Sequence, residues 1–225
     1  MIKFPYDEFE NQLKSSSYQN LETIHVDCIQ SSTMTRVIQT NGGHLRKILV
    51  NEYDVLCDTY FKDSLNLICT IYETCPLIEY LSISFSKTTV HFAEFENLLK
   101  ACQKLKGLLI VINEVMRDEL KSVEEENFES GERLARVLIK SAPVNLTEIR
   151  IGESFPYFGF KFSLEALDAF FDNWRGRKAL SMFTCDPVYN SADYKEIINK
   201  YLGEGVVKKF ICGGLKDATF RYDKV

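Results

Sequence analysis

Four consecutive residues, His25-Val26-Asp27-Cys28, bring an imidazole, a carboxylate and a thiol within a short span. A cysteine nucleophile needs a base within hydrogen-bond reach and a third group to orient that base. In an extended segment, however, His25 and Asp27 project to one side, while Cys28 falls on the opposite parity or in the turn, a poor geometry for convergence. The remaining cysteines, at 57, 69, 75, 102, 185 and 212, include no Cys-x-x-Cys pair, and the three histidines are far apart. Zinc needs four convergent ligands, usually in close sequence pairs, and that pattern is missing. Gly203-Glu-Gly205 resembles part of a phosphate loop. It lies between a helical and a strand-like segment, whereas phosphate loops run from strand to helix. A helix-ending turn is the reading that fits it. The sequence therefore assigns no catalytic residue, no cofactor and no metal ligand, and the expected function is non-enzymatic.

The elements that hold these residues repeat. A strand-like template of aliphatic residues recurs at Leu21/Ile24/Val26, Leu45/Ile48/Val50, Ile78/Leu81/Ile83, Leu105/Leu108/Ile110 and Leu146/Ile149/Ile151. Weaker copies follow near Leu180 to Phe183 and at Val207/Phe210. The last two apolar positions of each full copy are two apart, the period of a strand with one buried face. A helical stripe precedes most of them, at Met34/Val37/Ile38, Leu65/Ile68/Cys69/Tyr72, Phe95/Leu98/Leu99/Cys102, Leu134/Val137/Leu138, Leu167/Phe170/Phe171/Trp174 and Tyr194/Ile197/Ile198/Tyr201. Phe9 and Leu13 suggest one more. From Met34 to Leu45 is 11 residues, and the next three helix-to-strand offsets are 13, 10 and 12. The connecting stretches vary far more, with polar insertions expected over 51–62, 114–128 and 152–163.

Helix–turn–strand units stacked in series are the mark of a leucine-rich repeat. The fold expected is α/β: one right-handed solenoid of about seven irregular, degenerate repeats over 1–225, with parallel strands on the concave face and helices on the convex face. Asn113 stands where regular repeats place an asparagine, whereas Ser86 and Ser154 occupy the equivalent place elsewhere. A doubly wound α/β sheet is the rival fold, and an enzyme built on it would have His25, Asp27 and Cys28 near its site. Such sheets are covered on both faces and their strands read as continuous apolar runs. Here Thr23, His25, Asp27, Lys47, Ser82, Ser84, Glu148 and Arg150 alternate with the apolar anchors. One polar strand face favours the solenoid.

With the repeats aligned, ETCPLIEYLSI (73–83) and KACQKLKGLLI (100–110) resemble the units of F-box-type leucine-rich-repeat proteins. AFFDNWRGRKAL (169–180) and YKEIINKYLGEGVVKKF (194–210) look like the closing units of the divergent fungal members. The resemblance covers the repeat portion. It implies substrate recognition for a ubiquitin ligase, with a ligase adaptor as partner only if an F-box exists outside this chain; residues 1–20 are too short for one. A truncated fragment without independent function is the alternative expectation.

A net charge of -5 and a pI near 5.4 leave no basic footprint for nucleic acid. Reduced, buried thiols, no signal segment and no membrane-length apolar run point to the cytoplasm or nucleus. The expected partner is a protein, bound on the concave sheet face. Residues between the anchors supply the candidate contacts: His25, Asp27, Lys47, Leu49, Asn51, Tyr80, Ser82, Ser84, Leu109, Val111, Glu148 and Arg150. Glu124-Glu125-Glu126 reads as a solvated segment or helix start, and the aromatic run FPYFGFKF (155–162) as a plug over the edge of the last repeats or an exposed binding patch.

Overall fold

The computed structural model describes residues 11–13, 15–27, 29–51, 60–112, 120–153 and 159–213. Seven strands alternate with helices along the chain: β1 (Thr23–Asp27), α1 (Ser31–Gln39), β2 (Lys47–Asn51), α2 (Tyr60–Thr74), β3 (Tyr80–Phe85), α3 (Thr89–Ala101) and β4 (Gly107–Ile112). There follow α4 (Leu120–Ser141), β5 (Glu148–Glu153), α5 (Leu164–Asn173), β6 (Leu180–Thr184), α6 (Ala192–Gly203) and β7 (Val207–Cys212), with a short 3-10 turn at Pro187–Asn190 before α6. All seven strands form one parallel sheet in the order β1-β2-β3-β4-β5-β6-β7. Each strand lies beside the next in sequence, with no reversal. The helices follow the same rule: α1 packs on α2, α2 on α3, and so on to α6.

The strand templates are what the sheet buries. Ile24, Ile48, Leu81, Leu108, Ile149 and Met182 stand in one row at 0–4% exposure and meet the helix stripes in a single continuous core. Four of these six helices bury the residues their spacing predicts, and in α6 Tyr194, Ile198 and Tyr201 are buried while Ile197 is half-buried. In α2 the face is rotated by about one position: Ser64, Leu67, Ile68, Ile71 and Cys75 are buried, while Leu65, Cys69 and Tyr72 are half-buried. The segment is apolar nearly all round, so two overlapping helical sets compete, and packing between α1 and α3 selects one. Tyr72 then lies at the flank, where its hydroxyl donates to Glu94 at 2.8 Å.

Adjacent units are stitched at the turn before each strand. The carbonyl of Glu22 accepts from the amide of Arg46 at 2.8 Å, that of Arg46 from Glu79 at 2.7 Å, that of Glu79 from Lys106 at 2.7 Å, and that of Lys106 from Thr147 at 2.9 Å. The Glu79 carboxylate reaches both Arg46 and Lys106, one unit to either side, and Lys106 holds it below the usual carboxylate range. Asn41, buried just beyond α1, donates from Nδ2 to the carbonyls of Tyr18 and Leu21 at 2.8 and 2.9 Å and accepts from the His44 amide. It satisfies backbone groups of the preceding unit. Buried Cys75 and Cys102 occupy comparable places beyond α2 and α3, and the Cys102 thiol faces the Cys75 carbonyl at 4.0 Å.

Two expected insertions are partly structured. α4 runs 22 residues from Leu120, so 114–128 is not simply a polar connector, and Glu124 to Glu126 lie inside the helix. Within 152–163, Phe160 and Phe162 are buried at 1% and 0%, against Phe85, Phe92 and Phe170. The second half of the aromatic run therefore enters the core; its first half, 155–158, lies outside the described residues. Gly205 has φ +72, a left-handed backbone that ends the turn after α6, as the glycine spacing predicts. No helix among the described residues is long and apolar enough to cross a membrane.

Candidate functional site

Strand residues of the second parity form rows across the face opposite the helix-packed row. The first row runs Thr23, Lys47, Tyr80, Gly107, Glu148, and then Ser181 and Lys209. In the second, His25 pairs with Leu49, and Ser82, Leu109, Arg150, Phe183 and Ile211 pair in succession. The sequence-predicted contacts thus share one face, yet the face is not uniformly open. His25 is exposed; Lys47, Leu49, Tyr80, Val111, Glu148 and Arg150 are half-buried. The side chains of Asp27 and Asn51 lie outside the described ones, as do Cys28, Asn113 and Ser154.

Ser82, Ser84 and Leu109 depart from the expectation of an accessible surface, at 3%, 5% and 2% exposure. Ser82 has a clear reason. The β2–β3 pairing is in register at Lys47–Tyr80 and Ile48–Leu81. At Val50 the Ser82 hydroxyl takes over, accepting from the Val50 amide and lying 2.9 Å from the Val50 carbonyl. A side chain thereby completes the pairing between two strands. Alternation in sequence cannot distinguish a serine facing solvent from one bonded to a neighbouring backbone.

The same face carries cations seated on aromatic rings, of which Tyr80 is half-buried and Phe183 buried. Lys47 Nζ lies 5.6 Å from the Tyr80 ring centre. Arg150 is held by an ion pair to Glu148, with its guanidinium 4.0 Å from the Phe183 ring centre, and Lys209 Nζ approaches the same ring at 5.5 Å. Cations over aromatic faces are attracted by the ring quadrupole, more so where water is thinned. Ser181, Phe183 and Lys209 were missed in sequence because the last two strand templates are weak. The inward alternation of Leu180 and Met182 was the available signal, but an irregularity at Leu180/Ser181 shifts the partner to Lys209.

Groups with chemical potential elsewhere have structural work. His25 stands on edge strand β1. The Ser–His contact found between α2 and α3 has Ser64 Oγ 3.0 Å from His91 Nε2, with Thr88 Oγ1 2.8 Å from His91 Nδ1. Ser64 Oγ donates to the Phe61 carbonyl, and the His91 amide donates to Thr88 Oγ1. These bonds close only if neutral His91 donates from Nε2 to Ser64 and accepts at Nδ1 from Thr88. A nucleophilic serine would have to donate to the ring instead. Ser64 and His91 are also 1% and 2% exposed, beyond the reach of a substrate. Burial pushes the Cys75 thiol up and that of Cys102 to about 12, which keeps both as inert thiols. No group of three or more potential metal ligands among the described residues is placed to hold an ion. Compared with known proteins, the chain matches no family model, and no curated protein matches it in sequence.

Proposed function

We propose that this chain is a non-enzymatic protein-binding module: a solenoid of degenerate leucine-rich repeats that presents the sheet face opposite its packed helices to a protein partner. The observation carrying the proposal is the unbroken sequential strand order together with described helices packed in neighbour-to-neighbour succession. A doubly wound sheet reverses its strand order and divides its helices between two faces. A solenoid does neither, and uses the uncovered strands for recognition. The recognition surface is the strip of Lys47, Tyr80, Glu148, Arg150 and Lys209, with Phe183 buried as the ring that seats Arg150 and Lys209. Aromatic and arginine side chains are the types that anchor interfaces. From the resemblance of 73–83 and 100–110 to F-box-type repeats, the partner is a protein destined for ubiquitination, recognised in the cytoplasm or nucleus.

The test compares proteins captured by the native chain with those captured by Lys47→Glu/Lys209→Glu, using Lys195→Glu on exposed α6 as control. A partner retained by the native chain and the control but lost by the double variant is the expected result. If every captured protein survives the double charge reversal, the sheet face is not the binding surface. Leu109, buried at 2%, is unsuitable as a surface probe, because changing it perturbs packing.

A further inference from the structure

In a stacked array each unit touches only its neighbours, so disturbing one unit leaves distant ones largely unaffected. The described part of the β5–α5 connection, Gly159–Ser163, breaks that rule. Toward the N-terminus, the Phe160 ring packs on Phe85 of β3 and Phe92 of α3, with centres 5.7 and 5.9 Å apart. β3 is two strands away from β5. The Lys161 amide donates to the Asn127 carbonyl of α4 at 3.1 Å, and the segment presses so closely on this helix that a Cβ on Gly131 would lie 2.0 Å from the Lys161 carbonyl oxygen. Ser163 Oγ donates to Glu132 at 3.2 Å.

Toward the C-terminus, both backbone groups of Phe162 are taken by tyrosines. Its amide donates to Tyr189 Oη at 2.9 Å, and its carbonyl accepts from Tyr194 Oη at 2.7 Å. Tyr189 belongs to the 3-10 turn and Tyr194 to α6, beyond β6. Lys161 Nζ lies 3.5 Å from an Asp186 carboxylate oxygen on the same side. Five residues therefore tie elements from β3 to α6.

We infer that Gly159–Ser163 is a clasp that couples the central units to the C-terminal ones, so that they unfold together rather than unit by unit. The single tryptophan, Trp174, is buried at 1% just beyond α5 and reports on the C-terminal side. Ile83→Val, at a buried position of β3, supplies a mild perturbation on the other side. In the full chain, urea unfolding followed by Trp174 fluorescence and by far-ultraviolet circular dichroism gives superimposed curves, and Ile83→Val lowers both midpoints equally. In a Tyr189→Phe/Tyr194→Phe background, which removes two hydroxyls and keeps both rings, the curves separate and the Trp174 midpoint stops responding to Ile83→Val. Tyr194→Phe alone gives an intermediate response and serves if the double variant does not fold. A Trp174 midpoint that ignores Ile83→Val in the native background overturns the clasp. So does one that still follows it fully after hydroxyl removal.

Discussion

Protonating His91 works against the folded state. Burial pulls its pKa from 6.5 to about 4, and the Ser64 and Thr88 bonds accommodate the neutral ring. The unfolded chain therefore binds a proton that the folded chain refuses, so this contribution is complete above pH 6.5 and is lost as pH falls toward 4. The shift corresponds to about 3 kcal/mol. Urea unfolding of native protein and His91→Phe at pH 7 and pH 4.5 checks it. The native chain should lose the larger share of its stability, and equal losses would show that His91 does not carry the effect. At the same scale, Arg177 shows why composition alone conceals a role. Its guanidinium lies 3.8 Å from the Trp174 ring centre and donates to the carbonyls of Ala142 and Pro143, beyond the end of α4. In sequence, Arg175 and Arg177 look alike.

Among the elements, α4 and β3 yield the sharpest expectations. Helix propensity alone would make Gly131→Ala stabilising by about 1 kcal/mol. The approach of the Lys161 backbone outweighs that, and a loss of about 3 kcal/mol or more is expected, read as a lowered urea midpoint. A stabilised Gly131→Ala would mean the strap sits elsewhere. Ser82→Ala removes the hydroxyl that serves the Val50 amide and carbonyl, leaving buried backbone groups unpaired. Its expected cost is about 2 kcal/mol, with faster hydrogen exchange at the Val50 amide; unchanged exchange there would remove Ser82 from the β2–β3 pairing. Helix and strand positions were legible because 3.6- and 2-residue periods reflect burial directly. The rotated face of α2 and the closure around Ser82 were not, since each is chosen by a neighbour distant in sequence.

At the scale of the whole molecule, the proposed recognition strip and the folded framework separate. Lys47 and Lys209 lie five strands apart, roughly 24 Å across the sheet, and neither forms an ion pair among the described residues. Lys47→Glu/Lys209→Glu should therefore change thermal stability by less than about 1 kcal/mol while abolishing partner capture. A large drop in melting temperature would mean that these lysines hold the sheet rather than a ligand.

The sequence by itself determined the order and type of the elements and the row of residues each strand buries. Those follow from spacing along one chain and the removal of apolar surface from water. The tertiary structure alone decided which polar residues of the sheet face remain accessible. Ser82 and Arg150 are both polar residues between apolar anchors, yet one completes the pairing of two strands and the other lies over an aromatic ring. The physical reason is that accessibility depends on what an adjacent strand or a crossing segment brings to the same place, and no local period encodes that.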